Sequence, residues 1–168
     1  MSNKKGNEGT MAIKIDLEKA YDRLEWSFIQ DTIVLFKFPK HLISFIKSCV
    51  SSFSISVLFN DGATDLFQLS KGIRQGDPLS PYLFVLCMEI LGTLILDKCD
   101  NNLWVPISAS RGGMAFSQLF SAGDLVLFAK ADVKNCQAIR DVLDTFCDLF
   151  DQKVSAEKSW VFSTPNLD

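Results

Sequence analysis

The sequence has little of several features that mark well-known protein classes. Its 168 residues include a single histidine, and its five cysteines form no CxxC pair. This pattern argues against a zinc site and against a disulfide framework. Lysine and arginine number 17 against 20 aspartates and glutamates, which gives a net charge of −3. Nonspecific nucleic-acid binders usually carry an excess of positive charge, so this balance argues against tight nonspecific binding by the chain alone and still allows a local site.

Segments that would direct the chain to a membrane or out of the cell are also missing. Residues 1–10, MSNKKGNEGT, are polar and lack the apolar stretch of a signal peptide. The most apolar run, residues 82–96, has 15 positions and is interrupted by glutamate, glycine and threonine. A buried helix is therefore favoured over a membrane span. We expect an intracellular protein without membrane contact, and the compartment is not indicated.

Apolar residues, in contrast, are abundant. They make up 48% of the chain, with 14 phenylalanines, and the mean hydropathy is +0.16. A chain of this length can bury the core of one domain. The apolar excess indicates exposed apolar surface that a protein partner would cover.

The hydrophobic pattern predicts both strands and helices. Alternating apolar residues predict strands or hairpins at 11–16, 53–69, 115–129 and 158–163, with a tight turn at Asp61-Gly62 in the second of these. Apolar residues at helical spacing predict helices at 26–36, 42–50 and 82–96, and a last helix that Asp132 caps and that runs to about Phe150. Strands that return through hairpins predict an α+β domain, with an antiparallel sheet covered by helices on one face. We expect residues 1–10 to form a disordered tail and residues 11–168 to form the domain.

The segment KIDLEKAYDRLEW, residues 14–26, places acids at the end of a predicted strand. Asp16 is the last residue of that strand, and Glu18 and Asp22 follow at short spacing. A strand end at a sheet rim can expose a carboxylate to a metal ion. The alternative is that these acids cap the next helix or face solvent.

The segment GIRQGDPLSP, residues 72–81, is a stiff loop that leads into the apolar helix. A helix N-terminus favours phosphate, and Arg74 adds positive charge. The alternative is a simple connector, in which Ser80 caps the helix and Pro81 takes its first position.

The third segment is the hairpin LFSAGDLVLFAKA, residues 119–131, which presents Asp124 at its tip. Metal chemistry on phosphates uses converging carboxylates around paired divalent ions. We expect Asp16 and Asp124 to lie at adjacent strand ends, close enough to share an ion. The alternative is that Gly123 and Asp124 only form a type II′ turn.

Together these segments, with QKVSAEKSWVF at residues 152–162, resemble the palm of a reverse transcriptase. The resemblance is to plant non-LTR (LINE-type) retrotransposons in particular. It runs from about residue 11 to the C-terminus, with the motifs in the family's order and spacing. It implies an RNA-directed DNA polymerase that uses Mg²⁺, an RNA template, a DNA primer and deoxynucleotides. Since ten residues precede Met11 and little follows Phe162, it also implies a truncated enzyme with fingers and thumb largely missing.

The resemblance implies individual roles at matching positions. Asp16 resembles the metal-binding aspartate of the first palm strand, and the Leu17 carbonyl resembles the backbone ligand beside it. Tyr21 resembles the steric gate that favours deoxynucleotides, and we expect it to pack beside Asp16 and near Gln75. The alternative is a core aromatic, whose ring points away from both residues into the helix layer. The loop residues Gln75 and Gly76 resemble those that line the nucleotide and the template. Lys158 resembles the lysine near the triphosphate that protonates the leaving pyrophosphate.

One motif departs from the family pattern. The hairpin tip of the family reads aromatic-Ala-Asp-Asp, and here it reads SAGD, so that Ser121 replaces the aromatic residue and Gly123 replaces the first aspartate. Asp124 matches the second aspartate. The resemblance therefore implies impaired catalysis, and Asp16, Asp124 and Lys158 are the candidate catalytic residues that remain. The alternative is a non-catalytic palm-like domain retained for nucleic-acid or protein interaction.

Overall fold

A computed structural model describes residues 9–52, 54–108, 110, 112–121 and 124–164. The helices of this part are α1 (Ala20–Arg23), α2 (Trp26–Leu35), α3 (Lys40–Ser51), α4 (Ser80–Asp100) and α5 (Val133–Phe150). Its longer strands are β1 (Thr10–Asp16), β8 (Gln118–Ser121), β9 (Asp124–Lys130) and β10 (Trp160–Ser163). Three short pairs complete it: β2 (Ser54–Ile55) with β5 (Phe67–Gln68), β3 (Leu58–Phe59) with β4 (Gly62–Ala63), and β6 (Ile107–Ser108) with β7 (Ala115–Phe116).

The main sheet has four antiparallel strands in the order β10-β1-β9-β8. One face of β9 is buried, because Leu125, Leu127 and Ala129 are at most 1% exposed. These side chains share a core with Leu91 and Ile95 of α4, which are 0% exposed. Alternate positions point to the opposite face of a sheet. The predicted α+β class, with an antiparallel sheet covered by helices on one face, is confirmed.

Several predicted elements occur where the sequence places them. Strand β1 ends at Asp16, and α2, α3 and β10 occupy the predicted segments. The predicted cap of the last helix is confirmed, because the Asp132 carboxylate accepts a hydrogen bond of 2.8 Å from the Asn135 N–H. Helix α4 extends four residues beyond the predicted end, to Asp100. None of the helices in the described part of the chain is long and apolar enough to cross a membrane.

Three local predictions are corrected. Strand β1 begins at Thr10, so Thr10 belongs to the sheet and not to a tail. The Gly9 carbonyl also accepts a hydrogen bond from the Ala131 N–H. Residues 1–8 lie outside the described residues, as does Phe53.

Helix α4 begins at Ser80, so Ser80 is not the cap. Leu79 is the residue at the cap position, and no side chain caps the helix there. The Asp77 carboxylate accepts a 2.7 Å hydrogen bond from the Leu79 N–H and so fixes the turn just before α4. The small hairpin turns at Asn60 and Asp61, which have φ of 49° and 64°, one residue earlier than Asp61-Gly62.

Candidate active site

Asp16 and Asp124 lie opposite each other where β1 and β9 meet at one end of the sheet. The Asp16 N–H donates to the Ser159 hydroxyl at 3.2 Å, and its carbonyl accepts from the Ser155 N–H at 2.9 Å. Both backbone groups of Asp16 therefore point away from β9, so Asp16 and Asp124 form a non-hydrogen-bonded pair. Such pairs have Cα atoms about 4.5 Å apart, and their side chains lie on the same face. The predicted position of the two acids at adjacent strand ends is confirmed, and their sharing of an ion stays a prediction.

The Asp124 carboxylate already has a cationic partner. Lys14 Nζ lies 3.1 Å from Asp124 Oδ1, with the two side chains 42% and 53% exposed. Lys14 is opposite Val126, one position from Asp124 along the same face, so the contact is a diagonal cross-strand pair. Asp16, in contrast, forms no ion pair with any residue that the structure describes. The two acids of this corner thus differ in their surroundings.

Leu17 adds a backbone oxygen to the same corner. It forms an isolated antiparallel bridge with Val154, built from the bonds Glu18 N–H to Lys153 carbonyl and Ser155 N–H to Asp16 carbonyl. Because Leu17 is the non-hydrogen-bonded partner in that bridge, its own carbonyl points to the other side of β1, where β9 lies. Its side chain is 7% exposed and anchors the position in the core.

Tyr21 joins this corner to the loop that precedes α4. Its ring stacks on Phe84 of α4, with centroids 4.7 Å apart and an interplanar angle of 16°. Its carbonyl accepts a 2.9 Å hydrogen bond from the Ile73 N–H. The half-buried ring is therefore fixed against the core, and its backbone is bonded to the loop that continues into Arg74 and Gln75.

Gly72 holds the start of that loop. Its N–H donates to the Leu24 carbonyl at 2.8 Å, and its carbonyl accepts from the Trp26 indole N–H at 2.7 Å. Its φ is +89°, and a Cβ at this position would lie 2.9 Å from the Asp22 carbonyl oxygen. A residue with a side chain does not fit here without movement of the backbone.

The loop borders an open cleft of about 550 Å³, which lies between the β2–β5 strand pair and α1. Arg74 and Gln75 line the cleft together with Asp22. Gly76 has φ of +85°, and an added Cβ there would meet nothing within 4 Å. The structure brings these predicted residues to the same end of the molecule as Tyr21.

Lys158 lies in the turn at 156–158, and its side chain is exposed. The neighbouring Ser159 hydroxyl accepts from the Asp16 N–H and donates to the Ser155 carbonyl at 2.7 Å. The turn that carries Lys158 is thus fastened to the backbone of Asp16.

A charged cluster lies next to the start of the loop that precedes α4, and the sequence analysis did not predict it. Asp151, the residue after α5, accepts hydrogen bonds from Arg23 at 2.9 Å and from Lys71, and Lys71 also lies 3.3 Å from Glu25. The hydrogen bond from Lys71 holds the pKa of Asp151 below its usual range, and the same bond raises the pKa of Lys71. Its members lie up to 128 positions apart along the chain, so no local pattern could have indicated the cluster.

The hard oxygen ligands at this corner suit a divalent cation such as Mg²⁺. They are the carboxylates of Asp16 and Asp124 and the Leu17 carbonyl. Among the residues described, no group of three or more histidine, cysteine, aspartate or glutamate side chains could hold a metal ion. Ala122 and Gly123 lie outside the described residues. The corner therefore offers fewer acidic ligands than a closed metal site requires.

Comparison with known proteins identifies the family. The family described as "Reverse transcriptase (RNA-dependent DNA polymerase)" matches residues 1–166. This chain belongs to the reverse transcriptase family. It is 28% identical over 144 residues to a retrovirus-related Pol polyprotein from a type-2 retrotransposable element of Drosophila melanogaster, which covers 86% of the chain and 13% of that polyprotein. It is also 36% identical over 75 residues to an uncharacterised mitochondrial protein of Arabidopsis thaliana, which covers 45% of the chain and 62% of that protein.

Solved structures show the same fold at low identity. Apo telomerase from Candida tropicalis, truncated from its C-terminal domain, superposes with a TM-score of 0.72 at 16% identity, over 98% of the chain and 32% of the telomerase. Telomerase from Candida albicans superposes with a TM-score of 0.66 at 15% identity, over 95% of the chain and 27% of that protein. The predicted palm-type architecture of a partial reverse transcriptase domain is confirmed. The chain spans less than a third of each of these two telomerase chains.

Proposed function

We propose that this domain forms the palm of an RNA-directed DNA polymerase whose metal corner is Asp16, Asp124 and the Leu17 carbonyl, and that its catalysis is impaired. The observation that carries the proposal is the non-hydrogen-bonded pairing of Asp16 with Asp124 at the end of the sheet. A Mg²⁺ ion bound there would neutralise charge that develops on the transferring phosphoryl group. The residues of the corner would hold that ion and position the substrate.

The neighbouring residues would handle the nucleotide. Tyr21, fixed by Phe84 and bonded to the loop, is suited to select the sugar of a deoxynucleotide. Arg74 and Gln75 line the open cleft. Together with Gly76, the next residue of the loop, they would contact the nucleotide and the RNA template. Lys158 would supply a proton to the leaving pyrophosphate, from a turn fastened to Asp16. The DNA primer would lie beside this corner.

Impairment follows from the missing carboxylate. Gly123 stands where the family has its first hairpin aspartate, so an acidic metal ligand is lost. Deleting one well-placed electrostatic group costs about 10²–10³-fold in rate, and we expect the loss of a main ligand to cost at least that. We also expect weak Mg²⁺ binding, because a few oxygen ligands leave the ion mostly water-coordinated.

The test of this function is primer extension on an RNA template with Mg²⁺ or Mn²⁺. The chain as written should give no detectable product. Gly123→Asp should restore the acidic motif but recover little synthesis unless fingers and thumb are supplied in trans or by fusion. If the unmodified chain extends a primer and Asp16→Ala abolishes the product, the proposed impairment is wrong. Calorimetric titration gives a second check, since sub-micromolar Mg²⁺ binding would require further ligands such as Glu18 or Asp22.

A non-catalytic role in nucleic-acid binding is a second candidate, favoured by exposed aromatic rings beside the corner. Trp160 and Phe162 are each 62% exposed. They lie opposite Lys14 and Ala12, on the same sheet face as Asp16. Aromatic rings on an open sheet can stack on the bases of a single strand. Salt-dependent binding of single-stranded RNA that falls in Trp160→Ala, without any primer extension, would support this role.

The extent of the domain and its origin belong to the same proposal. We infer that residues 11–168 form one palm unit, to which the pairing of Thr10 with Lys130 adds Thr10. The match to an Arabidopsis thaliana protein supports a plant retrotransposon origin, and the fly Pol polyprotein supports the wider retrotransposon class. Exposed apolar side chains on β10 support a protein partner that covers this edge. Limited proteolysis with mass spectrometry would test the domain boundaries.

A further inference from the structure

We propose that Lys14 is an internal counter-cation of the metal corner, which occupies the Asp124 carboxylate and competes with a divalent cation for it. This inference rests on the proposed function of Asp16 and Asp124. Lys14 Nζ lies 3.1 Å from Asp124 Oδ1. The register sets Lys14 opposite Val126 and Asp16 opposite Asp124, so the ammonium and both carboxylates share one face of two adjacent strands. The contact is therefore a consequence of the sheet register.

The competition follows from the chemistry of the ammonium group. It carries three donors and no acceptor, so it can neutralise a carboxylate but cannot join it to a metal ion. A divalent cation must either displace Lys14 from Asp124 or bind through Asp16 and the Leu17 carbonyl without it. In both cases the lysine adds a positive charge beside the ion. Asp16, which has no ion pair among the described residues, is the carboxylate left open to the ion.

The size of the effect is limited by solvent. The two side chains are 42% and 53% exposed, and water and salt screen charges at such positions. We expect removal of the Lys14 charge to tighten divalent cation binding by about three- to tenfold at low ionic strength. The gain should shrink as salt is added, because the interaction is electrostatic.

The experiment is a Mn²⁺ titration of the full chain, in which electron paramagnetic resonance measures free Mn²⁺. Lys14→Met removes the charge at similar length, with Lys14→Gln as a second neutral variant, and both should bind Mn²⁺ about three- to tenfold more tightly than the unmodified chain. Lys14→Arg keeps the charge and should stay within about twofold of the unmodified chain. Lys98→Met is the matched control, because it breaks a comparable ion pair of 3.4 Å with Asp141, between α4 and α5. Circular dichroism confirms that each variant is folded.

The Asp16→Asn variant separates this inference from the function on which it rests. If Asp16→Asn weakens Mn²⁺ binding but neither neutral Lys14 variant tightens it, Lys14 does not compete and the metal corner stands. If Asp16→Asn binds as well as the unmodified chain, the metal corner itself is wrong and the inference falls with it. Equal tightening in Lys98→Met would attribute the effect to net charge and overturn the role of Lys14. Binding that stays undetectable at millimolar Mn²⁺ in both the unmodified chain and Lys14→Met would also overturn it.

Discussion

Gly72→Ala should destabilise the domain much more than Gly76→Ala, although both glycines have nearly the same backbone conformation. Their φ values are +89° and +85°. A side chain in this left-handed region costs about 1–2 kcal/mol, and that cost applies to both substitutions. The difference between the sites lies in what the added methyl group meets. At Gly76 it meets nothing within 4 Å, and at Gly72 it lies 2.9 Å from the Asp22 carbonyl oxygen.

The contact at Gly72 cannot be relieved by a flexible side chain, since its three nearest atoms all belong to the Asp22 backbone. The chain must move, and the two hydrogen bonds of Gly72, to Leu24 and from Trp26, will lengthen or break. Each such bond contributes about 0.5–1.5 kcal/mol. We therefore expect a loss of about 2–5 kcal/mol for Gly72→Ala, against about 1–2 kcal/mol for Gly76→Ala.

Urea unfolding followed by circular dichroism measures both free energies of unfolding. In a domain of this size each kcal/mol lowers the melting temperature by about 2–4 °C, so thermal melts should rank the variants in the same order. Trp26 fluorescence, measured with Trp104 and Trp160 replaced by phenylalanine in all variants, adds a local readout, because the Trp26 indole N–H donates to the Gly72 carbonyl. If Gly72→Ala costs no more than Gly76→Ala, the close approach of Gly72 to Asp22 does not exist in solution and the anchoring of the loop is refuted.

Three further outcomes follow from other contacts. The pKa of Asp151 is held below its ordinary value of 3.8 by Lys71, so its contribution to stability is present above pH 3.8 and is lost as the pH falls through the lower folded value. Asp151→Asn should therefore lower the melting temperature at pH 7 and make the melting temperature depend less on pH below pH 4. An unchanged pH dependence below pH 4 would refute this. Burial raises the pKa of the Cys87 thiol to about 12, so iodoacetamide at pH 8 should modify the exposed Cys136 well before Cys87, as read by peptide mass spectrometry. Asp132→Ala should cost about 1 kcal/mol in urea unfolding, because it removes the cap of α5, and Asp132→Asn should cost less.

The sequence predicted the parts of this fold that depend on local periodicity. Alternation in MAIKID placed the end of β1 at Asp16, and the Asp132 cap was visible because the capping residue directly precedes its helix. The local prediction was wrong at the start of α4, where a neighbouring side chain determines the backbone conformation. Ser80 is the first residue of α4 and not its cap, because the Asp77 carboxylate folds back onto the Leu79 N–H and sets the turn before the helix.

The cross-strand contacts of the site could not be predicted in the same way. Alternation indicates that Lys14 and Asp16 share a face, but the partner of Lys14 depends on the register between strands more than 100 residues apart in the chain. A shift by one residue would turn every side chain to the other face. The Arg23 and Lys71 contacts of Asp151 likewise exist only after α1, α5 and the loop before α4 have packed together.

The interactions that hold the acids in place are separate from the chemistry that the acids would perform. Asp16 is positioned through its backbone, by Ser159 and Ser155, and Asp124 by its place in the strand register. The core beneath them consists of apolar residues such as Leu125 and Leu127. Loss of a metal-binding carboxylate therefore removes none of the contacts that define the sheet, and a burial-driven fold can persist after catalysis is lost. The fold that superposes on telomerase at a TM-score of 0.72 therefore rests on apolar burial and strand register, and not on the carboxylates at the end of the sheet.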